Sequence, residues 1–471
     1  MKEYGTKPRT EIVAGLTMYS SMAYIIPVNM IILSLAGVPP GAVVLATCIA
    51  SAAGTAVMAL WANLPYGMAP GMGLNAFFTF TIVFALGFTW AQALAMVFLC
   101  GVVDLIVTAT GIRKHVVASI PRALRTAMGV GIGLFIAYIG IKGAGLLRFT
   151  SDPGHWIEVG DPEAPTIIAD SSAVPAMVPI DSKVLIFAVL AILLTIILYV
   201  YKIKGAILIA IIISTAAGAV AGMVKIDWAG YFGSMGEAFG QLGDVFGQSV
   251  TAIPSLFSDT SKVILVLATI FALSLTLLFD ELGTSLGLGL SSGLFDEKEI
   301  DEVAQTSGFR TRFAKSLVPP SVATMFGSLF GTSPTTTYIE SSTGIAAGGR
   351  TGATALTTSG CFLASIVLAP LAMAVPAWAT APALIVVGVL MMSRIADIEW
   401  DSQDALEETI PAFLTIAIMP FAYSITTGIA VGLVFYCLIK IARGKVRQIH
   451  PVMIVMTILF LAYFVNMALN G

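Results

Sequence analysis

The sequence is poor in charged residues: Asp, Glu, Lys and Arg make up 11% of its 471 residues, whereas 57% are hydrophobic. Soluble globular proteins carry roughly a quarter charged residues, so this shortage excludes an ordinary soluble protein. The apolar runs are continuous rather than alternating, which predicts membrane-spanning helices and argues against a β-barrel. The chain also lacks a basic run with interleaved aromatic residues, so we expect no nucleic-acid partner.

Histidine and cysteine are also scarce, and their positions exclude several kinds of site. The three histidines, His115, His155 and His450, fall in predicted loops. The four cysteines lie inside apolar runs without CxxC or Cys/His spacing, which indicates packing rather than a disulfide or a metal site. No His, Ser/Lys or metal constellation of an intramembrane enzyme occurs. We therefore expect a chain that is not an enzyme, has no catalytic residues and binds no cofactor or metal.

A spanning helix needs about 20 apolar residues. Seven apolar segments precede a soluble-looking stretch at 225–260, and about seven follow it. This count predicts an all-α polytopic membrane protein of about 14 segments with a duplicated plan, which is common among transporters. The predicted segments are 12–35, 42–62, 70–86, 90–110, 123–146, 183–201, 205–224, 262–280, 313–331, 335–347, 352–375, 379–396, 409–440 and 451–469.

The run 409–440 is ambiguous, because it is too long for one untilted crossing and short for two. Basic residues follow it, and cytoplasmic loops are rich in Lys and Arg, so two short crossings are favoured. These basic residues are Lys440, Arg443, Lys445 and Arg447. The same rule predicts a cytoplasmic N-terminus from Lys2, Lys7 and Arg9, whereas the acidic loop 148–182 should face outside.

Two of the apolar segments contain glycine, proline and polar residues that a regular membrane helix does not tolerate. The first is 67–79, where prolines and glycines predict an extended entry that becomes helical near Leu74, with Asn75 in the first turn. Non-helical backbone at this depth occurs only where it is buried or lines a cavity. The alternative is a simple loop followed by a short helix.

The second such segment, 331–350, repeats this design and ends in a short helix. A shift of 265 positions places Asn75 on Glu340, and a shift of 264 places Pro70 on Pro334. Paired broken segments in the two halves of a chain indicate a transporter substrate site. Glu340 is an ionisable group at membrane depth, which is a functional candidate by default. A structural salt bridge with Arg350 is the alternative.

Carboxylates mark two further segments. Asp280 and Glu281 end the run 262–280, and Asp280 lies near mid-membrane if the helix continues to about residue 290. An acid at that depth can hold and release a proton, whereas a helix end at the membrane surface is the alternative. Glu281 points about 100° away from Asp280, as a second acid or toward a cavity wall. Asp104 is either a structural hydrogen-bond acceptor or a functional site.

These motifs resemble those of the nucleobase–cation symporters that include xanthine and uracil permeases, and most closely the adenine–guanine–hypoxanthine permease branch. The resemblance extends over nearly the whole chain. The motifs that carry it are Glu-Ile-Val-Ala-Gly-Leu-Thr from residue 11, Met-Ala-Tyr-Ile-Ile-Pro-Val-Asn from 22, Gly-Met-Gly-Leu-Asn-Ala-Phe-Phe from 71, Phe-Asp-Glu-Leu-Gly-Thr from 279, Thr-Thr-Thr-Tyr-Ile-Glu-Ser from 335, Gly-Gly-Arg-Thr-Gly from 348 and Pro-Ala-Phe-Leu-Thr-Ile-Ala-Ile-Met-Pro from 411.

The resemblance implies a fold of 14 helices in two inverted seven-segment repeats, with short extended strands in the third and tenth segments. Residues 1–110 and 261–378 would form a core domain, and residues 111–260 and 379–471 a gate domain. It further implies proton-coupled purine uptake across the cell membrane. The partners implied are a purine nucleobase, a coupling proton and the lipid bilayer, and a homodimer is an allowed assembly.

The resemblance also carries site residues onto this chain. It implies Asn75, Asp280 and Glu340 as site residues, with Gly283 and Thr284 matching the Gly-Thr that follows the acid. The acids Glu281 and Asp104 depart from the usual pattern and leave the coupling ion open. The full expected substrate-binding set is Gly73, Asn75, Phe279, Asp280, Thr336, Thr337 and Glu340.

For the mechanism, we expect Glu340 to accept two purine N–H groups, while Phe279, Phe77 or Tyr338 supplies an aromatic wall. Asp280 would take the proton, with Glu281 as a second candidate. An anion transporter of the same fold, a sodium-coupled carrier and a xanthine or uracil permease stay open as alternatives. A channel is less compatible with paired carboxylates and duplicated halves.

Overall fold

The computed structural model describes residues 5–110, 119–150, 156–159, 166–169, 174–225, 227–295, 311–400 and 406–470. Helices dominate these ranges. In the first half they are α1 (Pro8–Met22), α2 (Ile25–Leu35), α3 (Pro40–Val57), α4 (Met72–Ala76), α5 (Trp90–Thr110), α6 (Arg122–Gly143), α7 (Lys183–Val200), α8 (Ala206–Val220), α9 (Tyr231–Val245), α10 (Gln248–Thr251) and α11 (Ile253–Leu256).

The second half continues the helical series. Its helices are α12 (Val263–Ser292), α13 (Arg312–Ser316), α14 (Pro319–Phe330), α15 (Ser341–Ala346), α16 (Gly352–Ala364), α17 (Ala369–Met373), α18 (Ala377–Met392), α19 (Leu406–Phe421), α20 (Ile425–Ala442) and α21 (Pro451–Asn470). α3 and α4 continue as π-helical turns over Met58–Ala62 and Phe77–Ala85. Short 3₁₀ turns occupy Thr260–Lys262, Ser365–Leu368, Ser393–Asp397 and Val446–Gln448.

Within the described residues, nine helical stretches are long and apolar enough to cross a membrane. The prediction of a helical, multi-pass membrane protein is therefore confirmed, whereas the number of 14 segments stays a prediction. α12 continues through residue 292, as expected for a helix that holds Asp280 in its interior. The nine stretches are Pro8–Leu35, Pro40–Ala62, Trp90–Thr110, Arg122–Gly143, Lys183–Val200, Val263–Gly289, Gly352–Met373, Ala377–Asp397 and Ile425–Ala442.

The ambiguous run 409–440 forms two helices, α19 and α20, which pack on each other across a short turn. This confirms the division that the basic residues favoured. Glu407, at the start of α19, accepts ion pairs from Lys440 at 2.5 Å and Lys445 at 2.6 Å, and a third from Arg443. Three of the four basic residues thus hold the ends of the two helices together.

Two broken segments meet in the middle of the described fold. β1 (Met68–Pro70) pairs with β6 (Thr335–Thr337) in an antiparallel sheet, with Ala69 opposite Thr336. The backbone ladder continues on both sides, because Gly71 N donates to Pro334 O at 2.9 Å and Tyr338 N to Gly67 O at 3.0 Å. The extended strands predicted in the third and tenth segments are therefore present, and they satisfy each other's backbone inside the protein.

The flanking helices hold each strand in the same way. Thr55 on α3 bonds the backbone of Met68, accepting from its N–H at 2.9 Å and donating to its carbonyl at 3.1 Å. Thr324 on α14 makes the same pair of bonds with Thr335, at 3.1 and 3.3 Å. Both threonines are fully buried. A single hydroxyl thus satisfies the backbone N–H and C=O groups that a strand residue directs away from the opposite strand.

The remaining helices pack in two groups. The first group contains α1, α3, α5, α14 and α16, and the broken segments lie among them. The second contains α6, α7, α18, α19 and α20, with α6 and α18 in the most extensive contact. The soluble-looking stretch 225–260 differs from the expectation: α9 packs on α3 and α10 on α5. Its polarity comes from amphipathic helices that lie against the bundle, and not from a separate soluble region.

The acidic loop 148–182 contains short strands. It contains two small antiparallel sheets, in which β2 (Leu147–Thr150) pairs with β5 (Val174–Met177) and β3 (Trp156–Val159) pairs with β4 (Thr166–Ala169). Most of the acidic residues predicted to face outside lie beyond the described residues. These are Asp152, Asp161, Glu163 and Asp170.

The paired threonines yield a stability prediction. Thr55→Val and Thr324→Val should each lower the free energy of unfolding by about 1–3 kcal/mol, because each leaves a buried backbone N–H and C=O without a partner. SDS-induced unfolding of purified protein in mixed micelles measures this quantity. Thr17→Val is the matched control, since the exposed Thr17 hydroxyl bonds only Val13 of its own helix. Equal stability of all three variants would contradict the assigned roles of Thr55 and Thr324.

Candidate functional site

A cavity of about 200 Å³ opens beside the paired strands β1 and β6. One wall comes from the broken segments and α12, and the opposite wall comes from α6 and the end of α18. Residues of the first wall are Gly71, Met72, Gly73, Leu74, Thr276, Phe279, Asp280, Gly283, Thr284, Thr336, Thr337, Tyr338, Ile339 and Glu340. The cavity therefore lies between the two packing groups, with Tyr24, from the junction of α1 and α2, also in its lining.

Six of the seven predicted substrate-binding residues line this cavity. They are Gly73, Phe279, Asp280, Thr336, Thr337 and Glu340. Two of the three candidate wall aromatics, Phe279 and Tyr338, lie there as well. Phe77 is fully buried in the apolar core and is not part of the lining. The lining thus brings two carboxyls, two aromatic rings and strand-end backbone groups into one space.

Glu340 lies directly before α15, where the chain leaves β6. Tyr24 donates a hydrogen bond to Glu340 Oε1 at 2.5 Å, which fixes the orientation of the carboxyl group. Tyr338, two residues earlier, donates to the carbonyl of Pro70 at 2.6 Å and so ties this corner to β1. The alternative salt bridge with Arg350 is not formed, because Arg350 Nη1 donates to the carbonyls of Ile345 and Gly349 instead.

Asp280 enters the cavity from the middle of α12. Its neighbours at helical spacing, Thr276, Gly283 and Thr284, line the same cavity, so one face of α12 forms this part of the wall. Thr336 of β6 lines the same cavity beside Asp280. Asp280 therefore lies next to β6 and faces the cavity.

Asn75 does not line the cavity, so its expected place among the substrate-binding residues needs correction. Its side chain is fully buried and donates to Asn29 Oδ1 at 3.2 Å. Asn29 in turn donates to Thr47 at 2.8 Å and Thr332 at 2.9 Å. Asn75 is part of a polar network that joins α2, α3 and α4 to the segment before β6.

The positions of the two strands in the chain explain this difference. β6 starts 267 positions after β1, and not 265 as the sequence comparison assumed. At that shift Glu340 corresponds to Gly73, which does line the cavity. Asn75 lies two residues further along α4, and two residues on a helix turn a side chain by about 200°.

Glu281 also lies outside the substrate cavity. Its carboxylate accepts hydrogen bonds from the Thr337 backbone N–H at 3.0 Å, the Thr337 hydroxyl at 2.9 Å and the Ser285 hydroxyl at 2.7 Å. It therefore holds β6 from the side opposite Asp280. The adjacent acids of α12 face different surroundings, and only Asp280 reaches the cavity where a substrate fits.

Asp104 accepts hydrogen bonds from Ser274 on α12 and from Cys100, the latter at 3.6 Å. These partners agree with the structural alternative for this residue. Asp104 and Glu281 share a second, much smaller cavity of about 10 Å³. Among the described residues there is no cluster of three or more His, Cys, Asp or Glu that could hold a metal ion.

Sequence reasoning gave no site role to Tyr24, Arg125 or Arg394, which line the cavity. Arg125 lies in the first turn of α6. Arg394 lies in the 3₁₀ turn that follows α18. The sequence does not show whether an arginine at a predicted helix end lies in a loop or lines a cavity. That depends on how the two packing groups meet.

Comparisons with known proteins identify the family. The guanine/hypoxanthine permease PbuO of Bacillus subtilis (strain 168) is 38% identical over 98% of this chain and 98% of its own length. The adenine permease AdeP of Escherichia coli (strain K12) is 37% identical over 98% of this chain and 94% of its own length. Among solved structures, the transmembrane domain of the cyanobacterial bicarbonate transporter BicA matches in fold.

That structure aligns with a TM-score of 0.56 and 15% identity, covering 92% of this chain and 96% of the other. At this identity the likeness concerns the fold alone. The model of the xanthine/uracil permease family, described as a permease family, matches residues 9–431. This chain is a multi-pass membrane protein that belongs to the permease family and is not an enzyme.

Proposed function

We propose that this chain carries a purine nucleobase across the cell membrane together with a proton, by alternating access. The observation that carries the proposal is the cavity beside the paired strands β1 and β6, which Glu340 and Asp280 line together with two aromatic rings. The permeases to which the chain is similar are named for guanine and hypoxanthine or for adenine. A planar heterocycle with several N–H groups fits a cavity whose polar lining includes two carboxyl groups.

Glu340 is the proposed anchor of the base. An ionised carboxylate has about four acceptor positions, and the hydroxyl of Tyr24 uses one of them. The others can accept two neighbouring purine N–H groups in a bidentate fashion. Gly71 and Gly73 lack side chains, so the base can approach the backbone of the first broken segment. Phe279 and Tyr338 offer aromatic faces along the same space.

Asp280 is the proposed proton carrier. It reaches the substrate cavity, whereas the carboxylate of Glu281 is occupied by three hydrogen bonds to Thr337 and Ser285. A proton on Asp280 neutralises a buried charge, which lowers the cost of moving the loaded site through an apolar environment. We therefore assign coupling to Asp280 and the support of β6 to Glu281.

The moving parts in this proposal are a core domain of residues 1–110 and 261–378 and a gate domain of residues 111–260 and 379–471. The two halves would be inverted repeats of seven segments, with the N-terminus in the cytoplasm. The similar bonds of Thr55 to Met68 and of Thr324 to Thr335 support such a repeat. The cavity lies between α12 and the pair α6 and α18, and this position supports alternating access. Relative motion of these helices would open the cavity first to one side of the membrane and then to the other.

An anion transporter of the same fold is the second candidate. Arg125 and Arg394 in the cavity wall favour it, because guanidinium groups attract an anion. The carboxyls of Glu340 and Asp280 oppose it, because they repel an anion at the strand crossing. Flux into proteoliposomes distinguishes the two: saturable uptake of a neutral purine supports our proposal, whereas uptake of bicarbonate without purine uptake supports the rival.

Removal of the charge on Glu340 tests the anchor. Glu340→Gln should weaken the apparent affinity for purine by about 10- to 100-fold, because a charge-assisted hydrogen bond contributes about 1.5–3 kcal/mol. Initial rates of labelled hypoxanthine, guanine and adenine uptake into proteoliposomes measure this change. Tyr24→Phe should have a smaller effect in the same direction, since it removes only the bond that orients Glu340. Wild-type affinity in Glu340→Gln would refute the anchor.

The adjacent acids of α12 provide a matched test of proton coupling. Asp280→Asn should abolish accumulation driven by an inward pH gradient while exchange of labelled for unlabelled purine continues, because the amide mimics the protonated acid. Glu281→Gln should retain the response to the gradient, at a rate that reflects its weaker hold on β6. An imposed sodium gradient is the control for sodium coupling. If Glu281→Gln loses the pH response and Asp280→Asn keeps it, the two assignments are reversed.

A further inference from the structure

Two guanidinium groups, those of Arg125 and Arg394, also line the cavity, and the transport proposal gives them no role. An arginine offers five N–H donors and no acceptor. Within the described ranges, the Arg394 guanidinium makes one hydrogen bond, from Nη2 to the carbonyl of Gly283 at a long 3.4 Å. The buried Nε of Arg125 has no partner there. The cavity thus contains unused donors as well as acceptors.

Arg394 lies directly against the helix that carries Asp280. A Cβ atom added at Gly283 would come within 3.0 Å of Arg394 Nη1, and one at Gly287 within 3.6 Å of Nη2. These two glycines lie on the same face of α12 as Asp280 and provide the space for the guanidinium. The guanidinium also interacts electrostatically with the Asp280 carboxyl. Arg394 therefore occupies a defined position beside the acid.

A cavity that presents both carboxylate acceptors and guanidinium donors fits some purines better than others. Guanine and hypoxanthine present two adjacent acceptors, O6 and N7, which arginine binds in a bidentate fashion. Their N1–H, and the amino group of guanine, are donors on the next edge, where a carboxylate can accept. Adenine presents an amino donor beside N7 and no N1–H, a pattern matched by Asn or Gln and not by arginine.

We infer that Arg394 is a specificity-determining residue that hydrogen-bonds to the O6/N7 edge and selects 6-oxopurines over adenine. This inference rests on the proposed purine transport. Glu340, which lines the same cavity, then accepts from the donor edge of the same base. The relatives do not decide this point, since PbuO is named for guanine and hypoxanthine and AdeP for adenine at nearly the same identity. The inference depends on the guanidinium and the carboxylate facing one cavity.

Competition for labelled hypoxanthine uptake into proteoliposomes tests the inference. Unlabelled hypoxanthine, guanine, adenine and unsubstituted purine, which lacks O6, are the competitors. In the wild type, hypoxanthine and guanine should compete at much lower concentrations than adenine or purine. Arg394→Gln should reduce the preference for hypoxanthine over adenine by about 10- to 100-fold, the discrimination expected of one bidentate pair.

Arg125→Gln is the matched control, because it removes the other cavity guanidinium without touching α12. A shifted preference in Arg125→Gln and not in Arg394→Gln would overturn the inference, as would an unchanged preference in both. Gly283→Ala gives a second route if Arg394→Gln does not fold: the added methyl group displaces the guanidinium and should lower the preference in the same direction. Absence of any purine uptake by the wild type refutes the transport proposal itself, whereas purine uptake that favours adenine refutes only the role of Arg394.

Discussion

The antiparallel pairing of β1 with β6 is the constraint on which the rest of this structure depends. An extended strand inside a bilayer leaves its N–H and C=O groups without partners, at a cost of several kcal/mol per group. Here each broken segment supplies the partner of the other, and Thr55 and Thr324 satisfy the outward-facing groups. Because neither half can satisfy its own break, both halves must fold together before the site exists.

The pairing also explains how buried polar residues divide their roles. Those beside the strands are bonded to other groups of the fold: Glu281 accepts from the Thr337 backbone, and Asn29 joins the side chains of Asn75 and Thr332 just before β6. Glu11 holds the start of α16, where it accepts from the backbone N–H groups of Arg350 at 3.2 Å and Thr351 at 3.4 Å. Asp280 and Glu340, by contrast, reach open space. A polar side chain is thus committed to the fold when its hydrogen-bond partners belong to the neighbouring segments of the protein.

This division sets the limit of what the sequence could predict. Glycine and proline within apolar runs located both broken segments, and continuous hydrophobicity predicted the helices, because both signals are local. The role of Asn75 could not be obtained that way, since an error of two residues in register moves a side chain from the cavity to the core. The same limit applies to Arg125 and Arg394. Their charge is visible in the sequence, but their position depends on how α6 and α18 meet α12.

The strand pairing further restricts the motion that the proposed transport requires. Separating β1 from β6 would break the strand ladder and leave its backbone groups unsatisfied at membrane depth. Among the described residues, the surface between α12 and the pair α6 and α18 has no such ladder, and Arg394 makes only a long contact with Gly283 there. Motion at that surface therefore breaks fewer backbone hydrogen bonds than separation of the strands. In the proposed transport cycle the two broken segments should move as one unit, which would keep Glu340 and Asp280 together while the opposite wall changes.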